Sequence, residues 1–443
     1  MWILNKEKSN HIGLVLTLCF LVILGVMNAV LFNVALANIS LDLSISPSQV
    51  SWIVVGYSMV VAIGSMTYGK LADFVSIKKL FIIAIILFSL GSIIGFSNQT
   101  YTIVILARLL QASGGGAFIA LAMVSVAKMV ESTKRPTALA MISAAIALAV
   151  GIGPLVGGAI TYSLGWPFLF LIMVVSIIGI GLLLKFMPKE EINPSPLHFD
   201  FIGAGLLFAL IASTLLGVNI NKMLFILSIV LLILFKVWMT KAKHPFVDIE
   251  LFKNITFLRV IAIGFIINVA LMANLFLLPL LLAKRNGLSP FLIGIVVFIA
   301  SLFGILSIFV TRKIILTIGN IKMVYIASIV MIIGFLMLAL IPNANVIILS
   351  IAVILTMMSY FSIQVSLNTL VPQTLNPAKI GVGLGLYNLL NFVGMAFGPA
   401  ASSKMMELTN SYSLNFILIA LLISGHFLLL YKLSSVQQNA AYN

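Results

Sequence analysis

The chain has 443 residues, of which 62% are hydrophobic and only 8% charged, whereas a soluble domain carries about 25% charged residues. That composition excludes an ordinary soluble domain, which could not cover its surface, and makes lipid the natural solvent. The net charge of +15 does not indicate nucleic acid, because the Lys and Arg residues sit in short connectors between apolar runs and form no clustered face.

Apolar runs lie at about 12–37, 48–69, 80–97, 101–127, 137–160, 167–187, 201–218, 223–240, 258–283, 291–311, 322–341, 345–371, 381–403 and 412–431. Each approaches or exceeds the roughly 20 residues that cross a bilayer core as a helix. The expected fold is therefore an all-α polytopic membrane protein of about fourteen spans. The first run is too long, and lacks the small-residue end, for a cleavable signal peptide. Cys19, the single cysteine, lies in that run, forms no internal disulfide and reads as a small hydrophobe.

Charge tests the count. With a cytoplasmic N-terminus and alternating sides, twenty of the Lys and Arg residues fall in inner segments. The outer connectors hold Lys222, Lys284, Arg285 and Lys404, and Arg108 alone falls in neither group, being intramembrane. This bias places both termini on the cytoplasmic side of the membrane. A weak internal repeat accompanies it. Gly153-Pro154 and Gly398-Pro399 each follow a small residue four positions back, Ala149 and Gly394. At nearly the same spacing, the connector from Lys70 to Lys79 aligns with Lys313 to Lys322. Duplicated halves are a transporter design. They would be residues 1–190 and 258–443, with a helix pair inserted in 191–257.

Four segments carry more specific signals. Gly69-Lys70-Leu71-Ala72-Asp73…Ser76…Lys78-Lys79 resembles the connector between helices two and three of the major facilitator superfamily, with Ser76 where that family prefers Gly. Gly69 allows close helix approach. Asp73 is expected to accept hydrogen bonds from a neighbouring helix N-terminus, a latch completed by Lys78 and Lys79. Gly151, Gly153, Pro154, Gly157 and Gly158 resemble the fifth-helix signature of that superfamily's proton-coupled exporters. There, small residues permit tight packing and proline weakens the backbone ladder. Arg108 in Arg-Leu-Leu-Gln-Ala-Ser-Gly resembles the fourth-helix signature, and an arginine inside a span is costly and functional by default. Asn28 and Asn33-Val34-Ala35-Leu36 resemble the first helix of the fourteen-helix drug:proton antiporter branch, which includes Gram-positive tetracycline and multidrug exporters. Asn28 stands where many members have Asp. The segment from His244 to Phe252 is similar to that branch's connector after the inserted pair.

The resemblance implies a secondary transporter that exports amphipathic compounds, with H⁺ as coupling ion and no bound cofactor or metal. It is expected to act as a monomer in the bilayer on a small-molecule substrate. The residues make coupling less plain. None of the ten acids, Glu7, Asp42, Asp73, Glu131, Glu190, Glu191, Asp200, Asp248, Glu250 and Glu407, sits in the middle of a span. Coupling candidates are therefore Arg108, the span-end acids Asp42 and Glu407, and His426, because an unperturbed imidazole titrates near neutrality. Substrate-binding candidates are the polar residues of the central spans: Asn28, Asn33, Tyr57, Gln111, Asn268, Asn274, Gln364, Asn388 and Asn391. A lipid or metabolite exporter or facilitator of the same fold, without carboxylate-based coupling, is the alternative. A membrane-embedded enzyme is disfavoured, because four His and one Cys show no metal spacing, nucleophile elbow or phosphate loop.

Overall fold

The computed structural model describes residues 2–188, 199–341, 345–376 and 379–433, with side chains from Ile12 onward. The border expected at 190/191 and the charges at Lys6, Glu7, Lys8, Lys189, Glu190 and Glu191 lie outside what it describes. Fourteen helices among the described residues are long and apolar enough to cross a membrane. In chain order they are α1 (Ile12–Asp42), α2 (Pro47–Leu71), α3 (Ile77–Ser97), α4 (Tyr101–Met129), α5 (Arg135–Ser163), α6 (Phe168–Phe186) and α7 (Phe201–Asn219). There follow α8 (Leu224–Lys241), α9 (Ile255–Asn286), α10 (Pro290–Ile318), α11 (Asn320–Leu340), α12 (Val346–Gln373), α13 (Ile380–Thr409) and α14 (Tyr412–Leu433).

The boundaries have local causes. Ser46 and Gln49 form a reciprocal capping box at the start of α2, with Pro47 in its first turn, so orphan N–H groups are satisfied where the chain enters the helix. Ser289 and Pro290 open α10 in a similar way. Gly287 at φ +63° and Gly319 at φ +84° close α9 and α10, a left-handed region that glycine enters without a Cβ clash. The helices outrun the apolar runs where charge does not break them. Arg312 and Lys313, expected in a connector, continue α10 as helix to Ile318. The segment aligned with the Lys70–Lys79 connector is thus largely helical, because only Gly319 supplies the terminating geometry.

Helices α1 to α6 pack among themselves, chiefly α2 and α3 on α4 and α5 on α1. Helices α9 to α14 do the same, with α13 on α9 and α12 on α10 and α11. The two groups meet along α2 with α13 and α5 with α10. The α7–α8 pair is peripheral. Helix α7 touches α2 and α13, while α8 turns Ile226, Ile229, Leu232 and Ile233 outward, as a lipid-facing surface requires.

The basic connectors gather at one end. Lys128 Nζ donates to the Ala72 carbonyl at 2.8 Å, Lys78 Nζ to Met187 O at 2.6 Å and Lys70 Nζ to Pro245 O at 2.9 Å. These contacts join the α2–α3 connector to the ends of α4, α6 and α8. We call this the basic end and the opposite one the far end.

Candidate functional site

Helix α5 contacts two partners through glycine. A Cβ on Gly153 would lie 2.5 Å from Val30 Cγ2, and one on Gly157 2.4 Å from the Leu31 carbonyl, so this face is pressed onto α1. Gly158 faces the other half: a Cβ there would lie 2.3 Å from Pro290 O on α10. Reciprocally, a Cβ on Gly294 of α10 would meet Pro154 O at 2.5 Å. Gly151, nearer the basic end, is looser, with Ile305 and Ser301 at 3.6 Å. Backbone thus meets backbone at the far end, a separation that only small residues permit.

The α2–α13 seam is also closed at the far end, by polar groups. Ser403 Oγ on α13 lies 3.0 Å from Ser51 Oγ on α2. Asn219, at the end of α7, accepts through Oδ1 from Ser48 at 3.4 Å and from Ser403 at 3.3 Å. All four side chains are buried. The inserted pair therefore reaches both halves at one junction, which the sequence reading missed. Toward the basic end the seam loosens. Added Cβ atoms on Gly381 and Gly385 of α13 would meet nothing within 4 Å, and Ser143 and Ala144 of α5 are exposed.

Arg108 is fully buried in α4. Its Nε donates to Ile53 O at 3.1 Å; Nη1 donates to Asn28 Oδ1 at 3.1 Å and Gln111 Oε1 at 3.0 Å; and Nη2 donates to Asn28 O at 3.3 Å. Four of its five N–H groups are thus placed. The guanidinium lies between the rings of Phe32 and Tyr57, each centroid 4.1 Å away, so stacking supplements the hydrogen bonds. Gln111 passes the network to Ser92 at 2.8 Å, and the Tyr57 hydroxyl donates to Gly25 O at 3.2 Å. The structure thus brings Asn28, Tyr57 and Gln111 together around Arg108. Asn33 sits one turn away with its Nδ2 on Val30 O at 3.0 Å. The charge is solvated by dipoles and rings, and no carboxylate appears among its hydrogen-bond partners. On the opposite side of the seam, Phe392 of α13 packs against the Tyr57, Val61 and Ala112 cluster.

The second half holds an uncharged polar group of its own. The Tyr360 hydroxyl donates to Asn268 Oδ1 at 3.2 Å, and Asn268 Nδ2 donates to Gly264 O at 2.9 Å. Tyr387 lies beside the amides of Gln364 and Asn391. Asn388 is partly exposed on the same helix. Asn274 stands apart, its Nδ2 on Thr356 Oγ1 at 3.0 Å. Sequence reasoning selected the asparagines and Gln364 but passed over Tyr360 and Tyr387. Tyrosine in an apolar run reads as packing, and only the tertiary arrangement exposes the hydroxyl's role.

The remaining candidates sit elsewhere. Asp73 accepts from Lys128 Nζ at 2.9 Å at the exposed C-terminal end of α4; its observed partner is thus a cation of the same half, not the helix N-terminus expected. A Cβ on Gly69 would meet nothing within 4 Å, and Lys79 is exposed. Asp42 Oδ2 accepts from Trp166 Nε1 at 2.9 Å, tying α1 to the α5–α6 connector. Glu407 pairs with Lys404 one turn back on α13 at 3.2 Å. The His426 ring lies 2.9 Å from Ser328 Oγ and stacks on Phe427, between α11 and α14 and away from the seam. At the basic end the segment after α8 touches both halves. Lys70 of α2 holds Pro245 and lies over the Phe246 ring, and Lys379 beside α13 pairs with Asp248 and Glu250. Hydrogen bonds donated to Glu250 and then to Asp248 raise the Lys379 ammonium above its ordinary titration range.

Residues 18–399 match the family profile of the Major Facilitator Superfamily. The riboflavin transporter RibZ of Clostridioides difficile (strain 630) is 29% identical over 309 residues, 68% of this chain and 66% of that protein. The uncharacterized MFS-type transporter YvkA of Bacillus subtilis (strain 168) is 26% identical over 94% of each chain. The methylenomycin A resistance protein of the same Bacillus strain is 27% identical over 66% of this chain and 65% of that one. The matches to RibZ and the resistance protein fall just short of two thirds of their lengths. The crystal structure of the human organic anion transporter MFSD10 (TETRAN) has TM-score 0.63 over 96% of this chain and 98% of that one. At 16% identity it is a likeness of fold.

Proposed function

Because the chain belongs to the Major Facilitator Superfamily, we propose that it is a secondary active exporter of amphipathic small molecules, working by alternating access with protons moving the other way. The observation that carries this reading is the asymmetry of the seam. Gly158 against Pro290 and Ser403 against Ser51 close the far end, while Gly381 and Gly385 face open space toward the basic end. A carrier that alternates must seal one end at a time, by contacts tight enough to exclude solute and few enough to break. With basic connectors inside, the basic end opens to the cytoplasm of a bacterial cell, both termini lie there, and substrate enters from within. The Gly-Pro helix is where the seal would part, since Pro154 already lacks its backbone donor. The relatives' names, a riboflavin transporter and a methylenomycin A resistance protein, fit a small-molecule cargo, and the second fits export.

Coupling is proposed to run through the Arg108 network, whose buried cation responds to any charge arriving on the seam. A second reading, a facilitator driven by the substrate gradient, is favoured by one specific observation: among the described residues, each acid lies in a connector or near a helix end. Reconstitution in liposomes under an imposed pH gradient separates them. Antiport predicts that adding dyes, quinolones or tetracyclines from a panel collapses the gradient. Flux without pH change selects the facilitator, and no flux of any compound overturns export.

A further inference from the structure

We propose that Gln364, Tyr387 and Asn391 form an uncharged amide-and-phenol subsite that takes the cyclic imide edge of a flat, non-cationic heteroaromatic substrate. The inference rests on the transporter reading and narrows its substrate class.

The three side chains converge from α12 and α13. The Tyr387 hydroxyl lies beside both amides. Tyr387 is 1% exposed and Asn391 6% exposed. Yet Tyr387 Oη, Gln364 Oε1 and Asn391 Oδ1 are all buried and, close as the hydroxyl lies to both amides, none of the three makes a hydrogen bond of good geometry among the described residues. Buried polar atoms are normally paired, and an unpaired group in a native fold needs a reason. The neighbouring polar pair does not share the defect, since Tyr360, Asn268 and the Gly264 carbonyl satisfy one another. Gly264 makes room for the cluster: a Cβ there would fall 2.8 Å from Tyr387 Cε2 and 2.9 Å from Asn391 Oδ1. The Tyr360–Asn268 pair is thus closed while the Tyr387 cluster keeps hydrogen-bonding capacity.

The seam runs along an adjacent face of α13. Gly381, Gly385, Asn388 and Phe392 recur at helical spacing along α13. The two glycines adjoin open space, Asn388 is partly exposed, and Phe392 reaches the Tyr57 cluster of the other half. A flat ring system entering from the basic end passes the glycines and meets aromatic surface at Phe392.

The chemistry of the cluster selects the ligand. A side-chain amide offers a donor and an acceptor in one plane. An imide edge offers acceptor, donor, acceptor in one plane. The N–H can donate to Gln364 Oε1 or Asn391 Oδ1, and the flanking carbonyls accept from amide N–H groups and from the Tyr387 hydroxyl. Charge selects further. Arg108 is bound by dipoles with no carboxylate among its partners, and the acids among the described residues lie in connectors or near helix ends. A cationic ligand would leave water without gaining a counter-charge, whereas a neutral or anionic one would not.

Riboflavin is the probe: it is neutral, flat and fluorescent, and carries an imide N–H between two carbonyls. Flavin fluorescence is titrated with the purified full chain in nanodiscs, alongside 3-methylriboflavin, which lacks that N–H, and the flat cation ethidium. Riboflavin is expected to bind at least tenfold more tightly than either. Gln364→Leu, Tyr387→Phe and Asn391→Leu should each weaken riboflavin at least fivefold and shrink its advantage over the methylated analogue. Because the methylation comparison uses the unaltered chain, it does not depend on any variant folding. No riboflavin binding, equal binding of the methylated analogue, preference for ethidium, or variants that keep the discrimination would each overturn the subsite. The assay contains no gradient, so a chain that binds with this pattern but moves nothing in liposomes retains the subsite and loses the transport reading.

Discussion

The two ends of the seam between the halves are built from different materials. At the far end, glycine meets carbonyl at α5–α10, and four buried polar side chains from α2, α7 and α13 meet one another. At the basic end added Cβ atoms on Gly381 and Gly385 would meet nothing within 4 Å, and the halves are bridged by lysines reaching to the segment between α8 and α9. Short-range contacts are strong while matched and vanish after a small separation; long, partly solvated ion pairs contribute little and tolerate movement. The difference teaches how a carrier can be firmly shut at one end and loosely strapped at the other.

The harshest way to break that contrast is Gly158→Leu. Its side chain would start 2.3 Å from Pro290 O, so the far end cannot close. Transport in liposomes should fall more than tenfold while the protein is still recovered folded from the membrane. Less severe is Asn219→Ala, which removes the bonds to Ser48 and Ser403. Interhelical hydrogen bonds in membranes contribute about 1 kcal/mol. Maleimide labelling of a Ser51→Cys reporter should therefore rise severalfold, and unchanged labelling would show that the inserted pair does not hold the junction.

At the basic end the expected effects are smaller. Lys379→Ala removes the pair with Asp248 and Glu250, and should alter protease sensitivity of the adjoining segment more than transport. The lysine titrates higher when paired. Its contribution is therefore complete below the ordinary value of 10.5 and declines only as pH rises through the higher paired value. Protease sensitivity of the native segment should accordingly be flat across neutral pH. The smallest effect is expected for Asp73→Asn. Its bond to Lys128 is exposed, and such pairs contribute about 0.2–1 kcal/mol, so labelling at either end should scarcely move. A large shift would mean that Asp73 has a second partner in the other conformation, as the latch reading holds.

The helical scaffold was largely legible in the chain, because the length and spacing of apolar runs are what a bilayer demands. The legible part stopped at helix ends. Arg312 and Lys313 read as connector, yet a charge near the interface does not interrupt a hydrogen-bonded ladder, and the left-handed residues Gly319 and Asn410 do. Around Arg108, polar neighbours such as Asn28 and Gln111 could be named in advance from composition alone. The flanking of its guanidinium by Phe32 and Tyr57 could not, since aromatic residues in spans carry no mark of what they stack on. Asn219 was hidden in a short turn, and Tyr387 in an apolar run. What distinguishes both is tertiary: one joins three parts of the fold, and the other keeps a hydroxyl without a partner.

Alternating access itself is tested most directly at the Ser51–Ser403 contact. With Cys19→Ser removing the only native thiol, the double variant Ser51→Cys/Ser403→Cys places two sulfurs where the hydroxyls now lie 3.0 Å apart. Oxidation should join α2 to α13 and stop transport in liposomes, and reduction should restore it. A cross-link that forms in full and leaves the transport rate unchanged would contradict the account, because the far end would then never need to open.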